Sequence, residues 1–148
     1  MKVLHVIPYV HPSFGGPVTA LNTIIEACNG NGIASDILST TVGFSGGQIE
    51  RNRNDFIQAN NRYIFNLDFP KFWFYSSLMN EWIEKNIVRY DVVHLHVPFT
   101  APFYMASKAA LRHGIPSIVT PHGLLDPWSM AHKKIKKIHP KIIFILTY

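Results

Sequence analysis

Residues 117–128 read Ser-Ile-Val-Thr-Pro-His-Gly-Leu-Leu-Asp-Pro-Trp, and this stretch decides the fold prediction. Its apolar beginning is typical of a short buried strand, which Thr120 and Pro121 would end. His122 and Gly123 follow at once, so a titratable side chain and a flexible backbone stand at the carboxyl end of that strand. Ligands bind outside the carboxyl ends of the strands in open α/β sheets. The stretch therefore predicts a parallel sheet with a ligand site at this edge.

Strand-like and helix-like segments alternate along the rest of the chain. Besides residues 117–120, short apolar runs predict strands at residues 3–7, 33–41, 63–67 and 91–97. Apolar residues at helical spacing predict helices at residues 17–28, 70–89 and 101–113, and a last helix from about Ser129. This alternation predicts an α/β fold with a doubly wound, parallel, Rossmann-like sheet. Right-handed crossovers would bring the carboxyl ends of all strands to one edge.

The composition indicates a single folded domain over residues 1–148. Apolar residues make up 47% of the chain and charged residues 16%, which excludes general disorder. Cys28 is the only cysteine, so an internal disulfide is excluded, and its apolar helical surroundings indicate a small core residue. No apolar run has the length of a membrane span, and no signal peptide is recognisable. We therefore expect a cytoplasmic location.

Positive charge is concentrated near the end of the sequence. The formal net charge is +5, and no acidic residue follows Asp126. The lysines beyond it are Lys133, Lys134, Lys136, Lys137 and Lys141. Such a patch can meet anionic lipid, a phosphorylated substrate or an acidic partner, and a solvated helix face is the alternative. A nucleic-acid partner is not predicted, because neither a recognition motif nor interleaved stacking aromatics accompany the lysines.

A glycine pair separates the first predicted strand from the first predicted helix. Gly15 and Gly16 allow a sharp turn and a close approach to a ligand, and Pro17 suits the first helical position. The start of a helix offers free N–H groups and a positive dipole end to phosphate or carboxylate. The segment matches neither the dinucleotide-binding nor the P-loop motif. Substrate binding at Gly15 and Gly16 and a plain tight turn both remain open.

His94 and His96 lie two residues apart on a predicted strand and therefore share one face. The pair resembles part of a metal site, but no third ligand with suitable spacing is evident, and a catalytic zinc site uses three protein ligands. We therefore predict no metal. His96 is nearer the end of the strand, where it can reach a bound substrate. A hydrogen-bonded core histidine is the alternative.

His122 and Gly123 form the sharpest candidate for a reaction site. A histidine at the end of a strand can donate to a sugar hydroxyl or a phosphate and can share in proton transfer near neutral pH. A histidine that anchors the loop is the alternative. Asp126 can bind a substrate hydroxyl, or it can cap the helix that Pro127 and Trp128 introduce.

A dense aromatic segment precedes the second predicted helix. Its members are Phe69, Phe72, Trp73, Phe74 and Tyr75. We expect most of these side chains in the core. The alternative is an exposed patch that enters a membrane interface or holds a lipid-linked acceptor.

Three blocks of sequence, taken together, resemble a known family. They are residues 3–8 with the Gly15-Gly16-Pro17 segment, residues 91–96, and residues 120–128. In order and spacing they resemble the amino-terminal domain of the GT-B type glycosyltransferases of family 4. The resemblance covers about residues 1–138, and its most specific block is Thr-Pro-His-Gly-Leu-Leu-Asp-Pro-Trp at residues 120–128.

The resemblance implies two Rossmann-like domains that face each other across a cleft. The amino-terminal domain would bind the acceptor, and the other would bind a nucleotide-sugar, the co-substrate of a retaining transfer that needs neither metal nor other cofactor. Gly15 and Gly16 would then lie near the donor phosphates and the acceptor. His122 would contact the donor sugar at the reaction centre, and His96 would line the acceptor side. Residues 131–137 resemble the family's membrane-facing or acceptor-facing surface.

The family carries its Glu-x7-Glu motif and its Arg/Lys pair for the diphosphate in the second domain, and these 148 residues contain no counterpart. We therefore expect the acceptor-binding half of a GT-B enzyme, bacterial and acting in polysaccharide synthesis on a glycan or lipid-linked acceptor. Alone it should have negligible activity. It could work with a separate chain that carries the donor domain, and it could touch the inner face of the membrane. A non-catalytic binding module and a truncated remnant are the alternatives.

Overall fold

The computed structural model describes residues 1–45, 61–69 and 71–123. Within these ranges, five strands form one sheet in the order β3-β2-β1-β4-β5, and all neighbouring strands are parallel. The strands are β1 (Lys2–Tyr9), β2 (Ala34–Thr40), β3 (Asn61–Phe65), β4 (Val92–His96) and β5 (Ser117–Thr120). The predicted parallel, Rossmann-like α/β fold is confirmed, and each predicted strand lies within a few residues of an observed one.

Three α-helices belong to the described part of the chain. They are α1 (Gly16–Gly30), α2 (Ser77–Asn86) and α3 (Ala101–Arg112). Short 3-10 turns occupy Pro12–Phe14, Lys71–Trp73 and Ile87–Arg89. None of the helices in the described ranges is both long enough and apolar enough to cross a bilayer. The helix predicted from about Ser129 lies outside the described residues.

The helix predicted over residues 70–89 is shorter than expected. Phe74 has a left-handed backbone with φ of 60°, which a right-handed helix cannot contain. Ser76 then caps α2, because its hydroxyl accepts a hydrogen bond from the backbone N–H of Met79 at 3.3 Å. Periodicity alone missed the break because apolar residues occur at helical spacing on both sides of it.

Helices cover both faces of the sheet. On one face, α1 packs Leu21 and Ile25 with Ile7 and Ile37 of the strands. On the other, α2 and α3 pack against the alternating strand residues. That core contains Leu4, Val6, Leu38, Met79, Ile83, Val93, Leu95, Met105, Ala106 and Ala109. Strands buried on both faces explain why their sequences read as almost continuous apolar runs.

The strand order places a topological switch between β1 and β4. The chain moves outward from β1 to β2 and β3 and then returns to β4 on the other side of β1. The connections that leave β1 and β4 therefore diverge at the carboxyl edge of the sheet, and the crevice between them is where ligands bind in doubly wound folds.

A buried charge network lies at the opposite, amino edge of the sheet. Asp36 is fully buried and pairs with Lys2, whose Nζ lies 2.8 Å from Oδ2. Tyr90 donates its hydroxyl to Oδ2 at 2.8 Å, and Asn61 donates to Oδ1 at 2.9 Å. Burial alone would raise the pKa of Asp36, but these three donors outweigh it and lower the pKa. Asp36 is therefore a stably ionised link between β1, β2 and β3.

The aromatic segment is more exposed than predicted. Phe69 is 92% exposed, Trp73 41% and Tyr75 37%, so the expected core position is wrong for these three side chains. They precede α2 in the connection from β3, and Trp73 lies against the half-exposed ring of Tyr104 on α3, with centroids 6.1 Å apart. Phe74 is partly buried and packs edge-on against Tyr9 at 6.0 Å.

Candidate functional site

Four histidines, which we call the histidine cluster, meet at the carboxyl half of the switch point: His5, His94, His96 and His122. Strands β1 and β4 pair in parallel with His5 opposite His94, so both side chains lie on the face that α1 covers. His96 shares that face two residues further along β4. His122 follows β5 by two residues and stacks on His96 with centroids 5.2 Å apart.

Ring nitrogens connect three of these histidines in a row. Nδ1 of His5 lies 3.4 Å from Nε2 of His96, and Nδ1 of His96 lies 2.9 Å from Nε2 of His122. His94 stacks on His96 at 4.1 Å, and its Nε2 lies 2.7 Å from the hydroxyl oxygen of Thr120. His5 thus orients the ring of His96, which in turn orients the ring of His122.

Burial keeps the cluster uncharged. Desolvation, with a smaller contribution from His94, lowers the pKa of His5 to about 3. Desolvation followed by the proximity of His122 lowers the pKa of His94 to about 4. Desolvation also lowers the pKa of His96 and of His122. Each ring is therefore neutral at pH 7 and carries one donor and one acceptor nitrogen, so the row from His5 to His122 has a direction.

The backbone at this edge is unusual for non-glycine residues. His122 has φ of 48°, and Val97 and Phe99, which follow β4, have φ of 55° and 68°. Such left-handed conformations cost free energy and cluster at functional sites. Thr100 stabilises the loop after β4 by donating its hydroxyl to the carbonyl of Val97 at 3.0 Å. The strain thus concentrates in the two loops that border the histidine cluster.

The glycine pair stands where the loop after β1 ends and α1 begins, with Gly15 as the N-cap and Gly16 as the first helical residue. Gly15 has φ of 63° and ψ of −123°, a conformation that side chains disfavour, although an added Cβ would touch nothing. The N–H groups of Val18 and Thr19 both donate to the Gly15 carbonyl. Pro17 has no N–H, and the N–H of Val18 already donates to Gly15, so two of the first three helical residues have no free donor for an anion.

A cavity of about 550 Å³ opens beside these loops, beyond the carboxyl ends of β2 and β3. Its lining residues are Thr41, Val42, Gly43, Phe44, Asn66, Leu67, Lys71 and Phe74. Gly43 lets the loop after β2 pack closely on the loop after β1. A Cβ added at Gly43 would lie 2.7 Å from His11 Cβ and 2.9 Å from the Phe14 ring. The size and the mixture of aromatic and polar groups are typical of a small-molecule site.

Of the predicted site residues, the structure brings His96 and His122 together. His96 and His122 are in contact, and Gly123 follows His122 with φ of 78°. Gly15 and Gly16 lie at the end of the loop that leaves β1 at the same edge. Asp126 lies outside the described residues.

Sequence reasoning missed His5. No third candidate ligand was recognised beside His94 and His96, but His5 places a ring nitrogen within 4.8 Å of one from each of them. His5 interrupts an apolar strand pattern as His94 does, but only the strand order and register of the folded sheet make the two neighbours.

The chain was compared with solved structures, with curated proteins and with protein-family models. The C-terminal domain of a hydrogenase from Pyrococcus furiosus aligns with 80% of this chain and 89% of its own length, at 13% identity and a TM-score of 0.46. A similarity at that score bears on neither fold nor function. No curated protein matches the chain. The sequence model of glycosyltransferase family 4 matches residues 14–146. Because that match spans most of the chain, the protein belongs to glycosyltransferase family 4.

Proposed function

We propose that this chain is the acceptor-binding half of a retaining glycosyltransferase, with His122 at the reaction centre. Membership of family 4 supports a glycosyltransferase-like function with sugar donor and acceptor substrates in general. The observation that carries the finer proposal is the contact between His96 and His122 at 2.9 Å, at the switch point of the sheet.

His122 can present a defined hydrogen-bond donor to a sugar. Its Nε2 faces Nδ1 of His96, so its Nδ1 is the nitrogen that remains for a substrate. If the N–H of His96 Nδ1 donates to His122, then the proton of His122 stands on Nδ1 and points away from the cluster. A neutral donor in a fixed orientation suits a hydroxyl of the donor sugar, because no reorganisation is needed when the sugar arrives.

The cavity beyond β2 and β3 is the proposed acceptor site. Phe44 and Phe74 supply aromatic surface, and Lys71 and Asn66 supply hydrogen-bonding groups. Aromatic faces with a few polar groups suit a saccharide, which is apolar on its ring faces and polar at its edges. We propose a glycan or a lipid-linked sugar as the acceptor, and bacterial polysaccharide synthesis as the setting.

Transfer also requires groups that stabilise the departing nucleoside diphosphate. The family supplies them from a second domain, and the sequence of these 148 residues has no counterpart of the Glu-x7-Glu motif. We therefore propose a cytoplasmic protein whose activity depends on such a donor-binding domain, and we propose that residues 1–148 alone are inactive. Incubation of the chain alone with UDP-glucose or GDP-mannose and a saccharide acceptor should give no transfer, and clear turnover would contradict this part of the proposal.

Saccharide binding tests the site itself. Saturation-transfer NMR with a panel of mono- to tetrasaccharides should show binding to the wild-type chain and to His113→Ala, a surface histidine at the end of α3. Lys71→Ala, which removes the one cationic side chain of the cavity lining, should weaken that binding. Failure of every saccharide to bind, or binding that is indifferent to Lys71→Ala, would contradict the acceptor site.

The contribution of His122 needs a separate readout. With a donor-binding domain of the family added and UDP-glucose or GDP-mannose as the probe, the ring resonances of His122 should shift in the wild-type NMR spectrum, whereas those of His113 should stay in place. Unchanged His122 resonances in a sample in which the nucleotide-sugar is bound would contradict its position at the reaction centre.

A further inference from the structure

Three histidine rings lie side by side between β1 and β4. His5, His94 and His96 each place one ring nitrogen within 4.8 Å of the other two. His5 and His96 are fully buried, and His94 is 7% exposed. Buried polar side chains are normally hydrogen-bonded, and three buried imidazoles placed next to one another call for an explanation.

The nitrogen separations are close to those of a tetrahedral metal site. With metal–nitrogen bonds of about 2.0–2.1 Å, two ligand nitrogens at the tetrahedral angle lie about 3.4 Å apart. Nδ1 of His5 and Nε2 of His96 are 3.4 Å apart. The other two separations lie within 4.8 Å.

Two of these rings, those of His94 and His96, hold their other nitrogen as metal-bound histidines do. Ligating histidines hold their second ring nitrogen in a hydrogen bond, which fixes tautomer and orientation. Nδ1 of His96 lies 2.9 Å from His122, and Nε2 of His94 lies 2.7 Å from the hydroxyl of Thr120. These contacts leave Nε2 of His96 and Nδ1 of His94 as the nitrogens for a metal.

His5 differs from the other two rings at its second nitrogen. Its Nε2 is buried, and no described residue hydrogen-bonds to it. In the metal-free chain, the 3.4 Å contact between Nδ1 of His5 and Nε2 of His96 can hold one proton, on one nitrogen or on the other. With a metal on Nδ1 of His5 and Nε2 of His96, the proton of His96 must stand on Nδ1, from where it donates to His122.

We propose that His5, His94 and His96 form a three-histidine site for a divalent transition metal of the zinc class, with Thr120 and His122 as its outer hydrogen-bond partners. Imidazole-only donors favour Zn²⁺, Co²⁺, Ni²⁺ and Cu²⁺ over Mg²⁺, Ca²⁺ and Mn²⁺. The fourth position takes water or hydroxide, as in other three-histidine sites. The metal joins β1 to β4 across the switch point, and it requires neutral rings, which this cluster has at pH 7.

The first test is spectroscopic and uses the full, tag-free chain after treatment with a chelator. His132 and His139 are replaced by Gln in every protein tested, so that these histidines cannot bind the probe. Addition of Co²⁺ should give the visible absorption of tetrahedral cobalt, which saturates at a single ion per chain and is bleached by Zn²⁺. X-ray absorption of the zinc form should show three imidazoles. Fewer than two imidazoles, or no saturable absorption, would overturn the proposal.

Matched variants assign the site to these residues. His94→Gln should weaken Zn²⁺ binding by at least about 100-fold, and Thr120→Val by about 10-fold through loss of the outer hydrogen bond. His113→Gln should bind as the parent protein does. If circular dichroism shows that His94→Gln does not fold, His5→Gln serves in its place. Undiminished Zn²⁺ binding in a folded variant of His5 or His94 would overturn the assignment.

Discussion

At the scale of single residues, the two neighbouring glycines should respond in opposite ways to the same substitution. Gly15→Ala places a side chain on a backbone with φ of 63° and ψ of −123°, and we expect it to lower the free energy of unfolding by about 1–3 kcal/mol. Gly16→Ala is the matched control: its added Cβ meets nothing and its φ is not left-handed, so the change should stay within about 1 kcal/mol. Urea denaturation measures both values. Equal effects would contradict the conformational explanation.

The buried histidines should make the stability of the metal-free chain depend on pH. In the unfolded chain their pKa is about 6.5, whereas in the folded chain it is about 3 for His5 and about 4 for His94. Between these values the unfolded chain binds more protons, so acid favours unfolding. Stability should therefore be fully present above about pH 6.5 and should fall as the pH is lowered from there towards 4.

Replacement of one histidine gives the control for that prediction. Each buried histidine adds a slope of about 1.4 kcal/mol per pH unit within this window. Urea titrations at several pH values should show that His94→Gln lowers the slope by about this amount, while the exposed His113→Gln leaves it unchanged. A free energy of unfolding that is flat between pH 6.5 and 4.5 would show that the rings are protonated in the folded state.

Which site residues were predictable depended on where they lie in their strands. His96 and His122 stand at or just beyond strand ends, where their type and position alone indicate a ligand site. His5 lies in the middle of β1, and only the register that sets it opposite His94 gives it a role. Register follows from the packing of whole strands, so no local pattern contains it.

At the scale of secondary-structure elements, the ionised Asp36 should stabilise the amino edge of the sheet. Asp36→Asn keeps the shape of the side chain but loses the charge that pairs with Lys2 and accepts from Tyr90. We expect a loss of about 2–4 kcal/mol in the free energy of unfolding. Glu81→Gln is the control, since its contact with Lys85 is exposed and 3.9 Å long, and it should change stability by less than about 0.5 kcal/mol. Similar losses in the two variants would contradict a buried network.

Element boundaries were predictable where a residue type signals them and not elsewhere. The start of α1 at Gly16 and Pro17 and the end of β5 before Pro121 agree with the sequence. The break before α2 depends on the left-handed Phe74, a conformation that its residue type disfavours. The exposure of the neighbouring aromatic residues has the same origin, because a continuous helix would have turned part of this segment towards the core.

At the scale of the whole molecule, the two edges of the sheet differ in their chemistry. The amino edge carries the satisfied network of Asp36, which favours stability. The carboxyl edge carries neutral histidines, left-handed loop residues and the cavity, which are features of a binding site. The doubly wound order accounts for this division, since it opens a crevice only at the carboxyl edge.

Contact with a membrane depends on the outer surface of the molecule, and a vesicle-binding experiment tests whether the chain associates with membranes. Trp73 and Tyr104 form an exposed aromatic pair 6.1 Å apart, and aromatic rings of this kind favour the interface between lipid and water. Lysines beyond Asp126 add attraction to anionic lipid of about 1 kcal/mol each when they lie near the surface. We therefore expect the chain to sediment with vesicles that contain phosphatidylglycerol and to be released by salt, which screens that attraction.

The aromatic pair should account for the vesicle binding that remains at high salt concentration. The double variant Trp73→Ala/Tyr104→Ala should bind the same vesicles several-fold more weakly, because it loses the part of the affinity that salt does not screen. The control is Val88→Ala/Leu111→Ala, which removes two other exposed apolar side chains of similar accessibility, 57% and 64%. Equal losses in both double variants would mean that general apolar exposure, and not this pair, carries the contact. Vesicle sedimentation at low and high ionic strength separates the charge contribution from the aromatic one, because only the former depends on salt.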